Sequence, residues 1–151
     1  MKKFNAPESS IHVLVRALLL QGEQIVLCRA KGEEWFFLPG GHVENGEMTR
    51  TALLRELGEE IGSYDYTIGD FAGFCEGYFP CKDDLFQHEI NIVFEVRVPA
   101  GEPIQSKEDH IEFVCVERGA LKECVILPNR MKEGIIEWLD RKAPFAKEFQ
   151  E

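Results

Sequence analysis

Residues 39–62 constrain this chain more than any other stretch. Pro39-Gly40-Gly41 follows the aromatic run Trp35-Phe36-Phe37-Leu38 and ends a strand in a loop, because Pro and Gly are the strongest local breakers. From Met48 to Ile61 the pattern is helical. At about 100° per residue Leu53, Leu54, Leu57 and Ile61 share one face, and Gly62 supplies the stop. Glu56, Glu59 and Glu60 stand three and four residues apart, so their carboxylates share another face. Like charges at that spacing cost on the order of a few tenths of a kcal/mol per pair. A hard divalent cation is the natural compensator, since Mg²⁺ takes oxygen ligands and keeps several waters. Taken alone, the cluster also reads as a solvated acidic face.

The rest of the chain is mostly strand. Ile11, Val13, Val15, Ala17 and Leu19 alternate along Ile11–Leu20; Gln21-Gly22-Glu23 is a turn signal, and Gln24–Arg29 is a second β-rich run. A hairpin is predicted there. Tyr64–Phe79 and His88–Val98 are strand candidates joined by a polar loop, and Pro99–Pro103 opens a loop running to about His110. Ile111–Val116 is a further strand. Pro128 fits the first turn of a closing amphipathic helix that runs to about Arg141, with Met131, Ile135, Trp138 and Leu139 as its buried stripe. No repeat or linker interrupts the chain. Its 151 residues read as one domain, 1–151, of the α+β class.

Composition narrows the function classes. Hydrophobic residues make up 44% and charged residues 29%, as in globular proteins, so disorder, collagen and a membrane bundle are excluded. Seventeen basic and 27 acidic residues give a net charge of −10, which disfavours nonspecific binding to nucleic acid. Five cysteines, an odd number without a Cys-x-x-Cys pair, exclude a disulfide framework or structural zinc site. Cys28, Cys75 and Cys115 sit in apolar, strand-like surroundings, where a thiol acts as a small hydrophobe. The apolar stretch Ile11–Leu20 is interrupted by His12 and Arg16 and is too short to span a bilayer. A cytoplasmic protein without a membrane or nucleic-acid partner is expected.

The order Gly41, five residues, Glu47, seven residues, Arg55-Glu56-Leu57, one residue, Glu59-Glu60, one residue, Gly62 resembles the Nudix box. Seven fixed positions match, each with a background frequency of roughly 7%, so coincidence is negligible. Ser63 departs from the aliphatic residue usual at the last box position. The resemblance to the Nudix hydrolase family implies an α/β/α sandwich with a mixed β-sheet and a loop–helix–loop catalytic motif. It implies divalent-metal hydrolysis, with Mg²⁺ or Mn²⁺, of a nucleoside diphosphate linked to another moiety. Carried over by position, Glu56, Glu59 and Glu60 are the metal ligands, Gly40 adds its backbone carbonyl, and Glu47 and Arg55 form a structural ion pair. Gly40 and Gly41 let backbone approach phosphates without a Cβ in the way. A small-molecule nucleotide is the implied partner; the oligomeric state is open, a homodimer being one option.

Residues outside the box have a structural and a functional reading each. Arg29 is a phosphate clamp or a solvated strand-end charge. Trp35, Phe36, Phe79 and Phe86 stack a base or belong to the core. His42 and His88 touch substrate or are structural. Glu108 matches where some family members place an extra carboxylate facing the metals, with Asp109 and Glu112 as competitors. Glu56 is expected as the base that activates water and Glu108 as the alternative. Tyr78 and Pro80 straddle the position, some sixteen residues after the box, whose identity often sorts family subgroups. ADP-ribose-like nucleotide sugars, dinucleoside polyphosphates and (deoxy)nucleoside triphosphates therefore all stay open as substrates. A nucleotide-binding sensor without catalysis and an RNA decapping enzyme are the competing functions. The complete carboxylate set opposes the first, and the charge of −10 opposes the second.

Overall fold

The computed structural model describes residues 11–62, 66–101 and 103–151. Strand β1 (Ile11–Gln21) is buried on both faces from Val15 to Gln21 apart from Arg16, which marks it as central to the sheet. It pairs along its whole length with β6 (Phe86–Val98) in parallel, Ile11 opposite His88 and Gln21 opposite Val98. Its other edge is shared. β2 (Gln24–Ala30) takes Leu19–Gln21 as the arm of the expected hairpin, and the three-residue β4 (Gly40–His42) takes Leu14–Arg16. With β5 (Thr67–Pro80), β7 (Ile111–Glu117) and β9 (Phe145–Gln150) the order is β7-β2-β1-β6-β5-β9, with β4 beside β1. The sheet is mixed: β1–β6 and β5–β9 are parallel, the other pairs antiparallel. β3 (Trp35–Phe36) and β8 (Val125–Ile126) form a small parallel pair apart from it.

Alternation along β1 and β6 divides the core into two layers. Val15, Ala17, Leu19, Phe94 and Val96 pack with Ala52, Leu53 and Leu57 of α1 (Thr49–Glu60). Leu18, Leu20 and Val93 pack on the opposite side with Met131, Ile135, Trp138 and Leu139 of α2 (Met131–Arg141). The result is the expected α/β/α sandwich with a mixed sheet. No helix among the described residues is long and apolar enough to cross a membrane.

Several local expectations change. Leu54 is exposed, because the helix buries a narrow stripe of Leu53, Leu57 and Ile61 together with Ala52. Pro128 lies before α2; Arg130, at φ 72°, turns the chain left-handed immediately ahead of Met131. Cys115 is exposed because β7 is an edge strand, whereas Cys28 and Cys75 are buried, and burial pushes the Cys75 thiol up to about 12. Ser63 and Tyr64, the box terminus and the expected start of β5, lie outside the described residues. β9 was not expected from the sequence. Its Phe145 and Phe149 rings sit where a Cβ at Gly73, Gly134 or Gly77 would collide with them, so three glycines shape the seat of the last strand.

Candidate active site

The shared edge of β1 builds the site. Where β2 gives way to β4, the Ala17 N–H donates to the Pro39 carbonyl (2.8 Å), and Gly40 lies opposite Arg16. Gly40 has φ 139°, and a Cβ there would drive into the Val15 carbonyl, so only glycine lets β4 approach this closely. Its N–H donates to Glu60 Oε2 at 3.2 Å, tying the start of β4 to the end of α1. At Gly41 the obstacle is different: a Cβ would meet the Glu56 carboxylate. Both carboxylates are thus held against the backbone of one glycine pair.

Arg55 organises the loop between β4 and α1. Its Nε donates to Glu47 Oε2 at 2.8 Å and its Nη2 to Glu47 Oε1 at 3.0 Å, a two-point contact. Nη2 also reaches the His42 carbonyl (3.0 Å), and Nη1 donates to Glu56 Oε1 (3.1 Å) and Glu59 Oε1 (3.3 Å). The Glu44 N–H donates to Glu47 Oε1 (3.1 Å). These contacts hold the Glu47 carboxyl below the usual carboxylate range, Arg55 contributing most. Glu56 and Glu60 shift the other way. Burial pushes Glu60 up to about 8, with Glu56 and Glu108 adding repulsion and Arg16 offsetting part of it. Burial likewise raises Glu56, opposed by Arg55.

Such groups fit a hard divalent cation. Glu60 and Glu56 are half-buried carboxyl groups whose anionic forms are destabilised by desolvation and mutual repulsion, and a bound cation would offset both. Glu59 is exposed and bonded to Arg55. Among the described residues no three His, Cys, Asp or Glu side chains converge on a single ion position.

The residues outside the box fall into place individually. Arg29 is engaged by Glu112 (2.6 Å) across the β2–β7 pair and lies over the Phe36 ring. Glu108 belongs to a loop whose Lys107 N–H caps the Glu60 carbonyl (2.8 Å) and which Ser106 closes by hydrogen bonds to both ends of the Glu108 peptide. It is near enough to Glu60 to raise that residue's pKa. Asp109 is exposed. His88 is bonded to Glu76 (2.7 Å), and Tyr78 stacks on Phe86 at 5.0 Å beside it. Phe36 is core. Trp35, Phe79 and His42 instead line a cavity of about 730 Å³ on the α2 side of the sheet, with Arg16, Phe37, Gln87 and Glu89.

Arg16 and the polar run Gln87, Glu89 and Asn91 were not selected from the sequence. Arg16 joins the cavity to the carboxylates: it lines the one and stabilises the charge of both Glu60 and Glu56. The signal was a lone Arg in an apolar central strand facing an Asn in its partner, legible only once β1 and β6 are paired.

The geometry is that of a Nudix fold, and comparison with known proteins agrees. The family model described as the NUDIX domain matches residues 10–141. The RNA pyrophosphohydrolase of Campylobacter jejuni is 30% identical over 106 residues, covering 67% of this chain and 67% of that protein. The crystal structure of the MutT protein from Methanosarcina mazei Go1 superposes with a TM-score of 0.68 at 25% identity, covering 89% of this chain and 96% of that one. A NUDIX hydrolase from Nitrosomonas europaea does so with a TM-score of 0.67 at 18% identity, over 89% and 93%. The chain belongs to the NUDIX family.

Proposed function

We propose that this protein hydrolyses a pyrophosphate bond in a small nucleotide, a nucleoside diphosphate linked to another moiety, with Mg²⁺ or Mn²⁺ as its cofactor. The enzyme class, a Nudix pyrophosphohydrolase, follows from family membership together with the seven matching fixed positions of the box. The observation that carries the substrate reading is Arg16, which lines an aromatic-walled cavity and acts electrostatically on Glu60 and Glu56, the two carboxylates held on the Gly40-Gly41 backbone. Hard carboxylate oxygens beside a base-sized cavity suit a metal-chelated phosphate chain with a nucleoside at one end.

Glu60, Glu56 and Glu59, with the Gly40 carbonyl, would hold the ion. When bound, a divalent ion neutralises the pyrophosphate, polarises phosphorus and acidifies the attacking water. The protein's own residues do the rest. Glu47 fixes Arg55, and Arg55 Nη1 holds one Glu56 oxygen, which leaves the other to take up the water's proton. Gly41 keeps the approach beside Glu56 clear. Glu108 stands by as a loop carboxylate near Glu60. Five free thiols suit a reducing compartment, and we place the protein in the cytoplasm.

A second reading, action on RNA, is raised by the name of the Campylobacter relative. The charge of −10 opposes a long RNA path. A hydrolysis panel decides. It compares nucleotide sugars, dinucleoside polyphosphates, (deoxy)nucleoside triphosphates and a 5′-triphosphorylated oligoribonucleotide, each with Mg²⁺ and with chelator. Metal-dependent turnover of a small nucleotide is expected. Turnover of the oligonucleotide alone would transfer the assignment to RNA, and no turnover of any member would favour a sensor.

A further inference from the structure

Arg16 interrupts an otherwise apolar stretch of β1, and two of its side-chain nitrogens are fixed. Nε donates to Asn91 Oδ1 (3.1 Å) and Nη1 to the Leu38 carbonyl (3.1 Å). The Asn91 end is held in turn by a buried run along β6. Asn91 Nδ2 donates to Glu89 Oε1 (3.2 Å), and Gln87 Nε2 to Glu89 Oε2 (2.6 Å). A carboxylate accepts and does not donate, so Asn91 turns its NH₂ to Glu89 and its oxygen to Arg16. The guanidinium is thereby set in one orientation.

Its third nitrogen is idle. Among the described residues Nη2 makes no hydrogen bond, and it is not a buried atom, so its N–H groups reach open space. The space that Arg16 lines is the aromatic-walled cavity. No carboxylate forms an ion pair with Arg16 among the described residues; Glu89 is reached only through Asn91. Arg29, by contrast, is closed off by Glu112 at 2.6 Å. A half-buried, oriented guanidinium with a free nitrogen and no direct counter-ion suits an anion with hydrogen-bonding oxygens. Position decides which anion. Gly40, whose N–H holds Glu60, lies opposite Arg16 in the β1–β4 register, and the charge of Arg16 acts on both Glu60 and Glu56. Arg16 thus adjoins the cavity and the carboxylates alike. A nucleotide with its nucleoside in the cavity and its phosphate chain towards the carboxylates brings its first phosphate to Arg16.

We infer that Arg16 is a phosphate-binding residue, donating through Nη2 to the phosphate attached to the nucleoside. This deepens the hydrolase reading and rests on its placing of the nucleoside in this cavity. Calorimetry on the full chain in metal-free buffer tests it with adenosine, guanosine, cytidine and uridine, each beside its 5′-monophosphate. For the base that binds, the monophosphate should bind roughly 10-fold or more tighter than the nucleoside, as a charge-assisted contact in a partly dry site provides. In Arg16→Gln that ratio should fall towards one while the affinity for the nucleoside holds, a split that a merely structural role would not produce. No phosphate preference in the wild type, binding of none of the eight, an unchanged ratio in the variant, or an equal loss of nucleoside and monophosphate would each overturn the proposal. If Arg16→Gln does not fold, Arg16→Lys takes its place. A single ammonium cannot reproduce the fork that holds Asn91, the Leu38 carbonyl and a phosphate together, so the ratio should again fall, and an unchanged ratio overturns the assignment. Hydrolysis of nucleotide sugars, dinucleoside polyphosphates and (deoxy)nucleoside triphosphates with Mg²⁺ separates the two readings. Phosphate-dependent binding through Arg16 without turnover removes the hydrolase and leaves Arg16 its role, whereas turnover with a ratio that Arg16 does not set does the reverse.

Discussion

Arg55 grips Glu47 at two points, Nε to Oε2 at 2.8 Å and Nη2 to Oε1 at 3.0 Å, while its remaining nitrogen holds Glu56 and Glu59. One guanidinium therefore links the loop after β4 to the carboxylates of α1. Glu47→Gln should lower the melting temperature by about 2–4 °C and turnover with it. The pair's contribution is present above the unfolded carboxylate pKa and is lost as pH falls through the lower folded value, since Arg55 depresses Glu47. Melting curves of the two proteins should accordingly converge below about pH 4. Wild-type melting with lost turnover would move the pair from the scaffold into the catalytic set.

Gly40 and Gly41 fail in different ways when given a methyl group. At Gly40 the added Cβ meets the Val15 backbone, and φ is 139°, so Gly40→Ala should be unstable or insoluble. At Gly41 it meets only the Glu56 side-chain tip, which can swing away. Gly41→Ala should melt near the wild type and lose activity by roughly 10-fold or more, as a misplaced catalytic group does. Circular dichroism and steady-state kinetics on both variants check the contrast.

Glu60 makes metal binding depend on pH. Burial lifts its pKa to about 8, so in metal-free protein the fold favours the protonated form. Stability contributed in this way is full below the unfolded value and declines as pH rises to about 8, then levels off. A divalent ion competes for the same carboxylate, so affinity for Mn²⁺ should climb from pH 6 to about 8 and flatten above it. Glu60→Gln should fold, lose that dependence and lose turnover by orders of magnitude. Titration calorimetry across the pH series gives the slope.

Glu108 and Glu56 compete as the proton acceptor. Glu56 is held by Arg55 on a rigid helix, whereas Glu108 sits on a loop tied to the helix end through the Lys107–Glu60 backbone bond. Glu56→Gln should cost more than the roughly 10²–10⁴-fold typical of a lost base, and Glu108→Gln at most about 10²-fold. A Glu108→Gln enzyme that binds metal normally yet loses the basic limb of its pH–rate profile would reverse the assignment.

The catalytic helix was legible because its information is local. Spacing alone places Leu53 and Leu57 inward and three glutamates together, and the glycine pair announces the break that lets β4 turn back. The hairpin of β1 and β2 and the stripe of α2 were readable for the same reason. Ser63 and Tyr64 lie outside the described residues.

What the tertiary structure decided depends on partners far apart in sequence. Phe36 enters the core and Trp35 the cavity wall because β3 pairs with β8, some ninety positions on. Arg29 meets Glu112 only through the β2–β7 register. β9 alternates Phe145, Lys147 and Phe149 in a short polar tail, a pattern with too little apolar area to announce a strand before Gly73 and Gly77 offer their hollows. Arg16 and Gln87 each looked like a lone polar residue in an apolar run. By itself the sequence determined the helix, its carboxylates and the family, since these follow from periodicity and spacing. Which polar side chains complete one another across β1 and β6 was decided by strand register, because a hydrogen bond exists only where the fold brings donor and acceptor within about 3 Å.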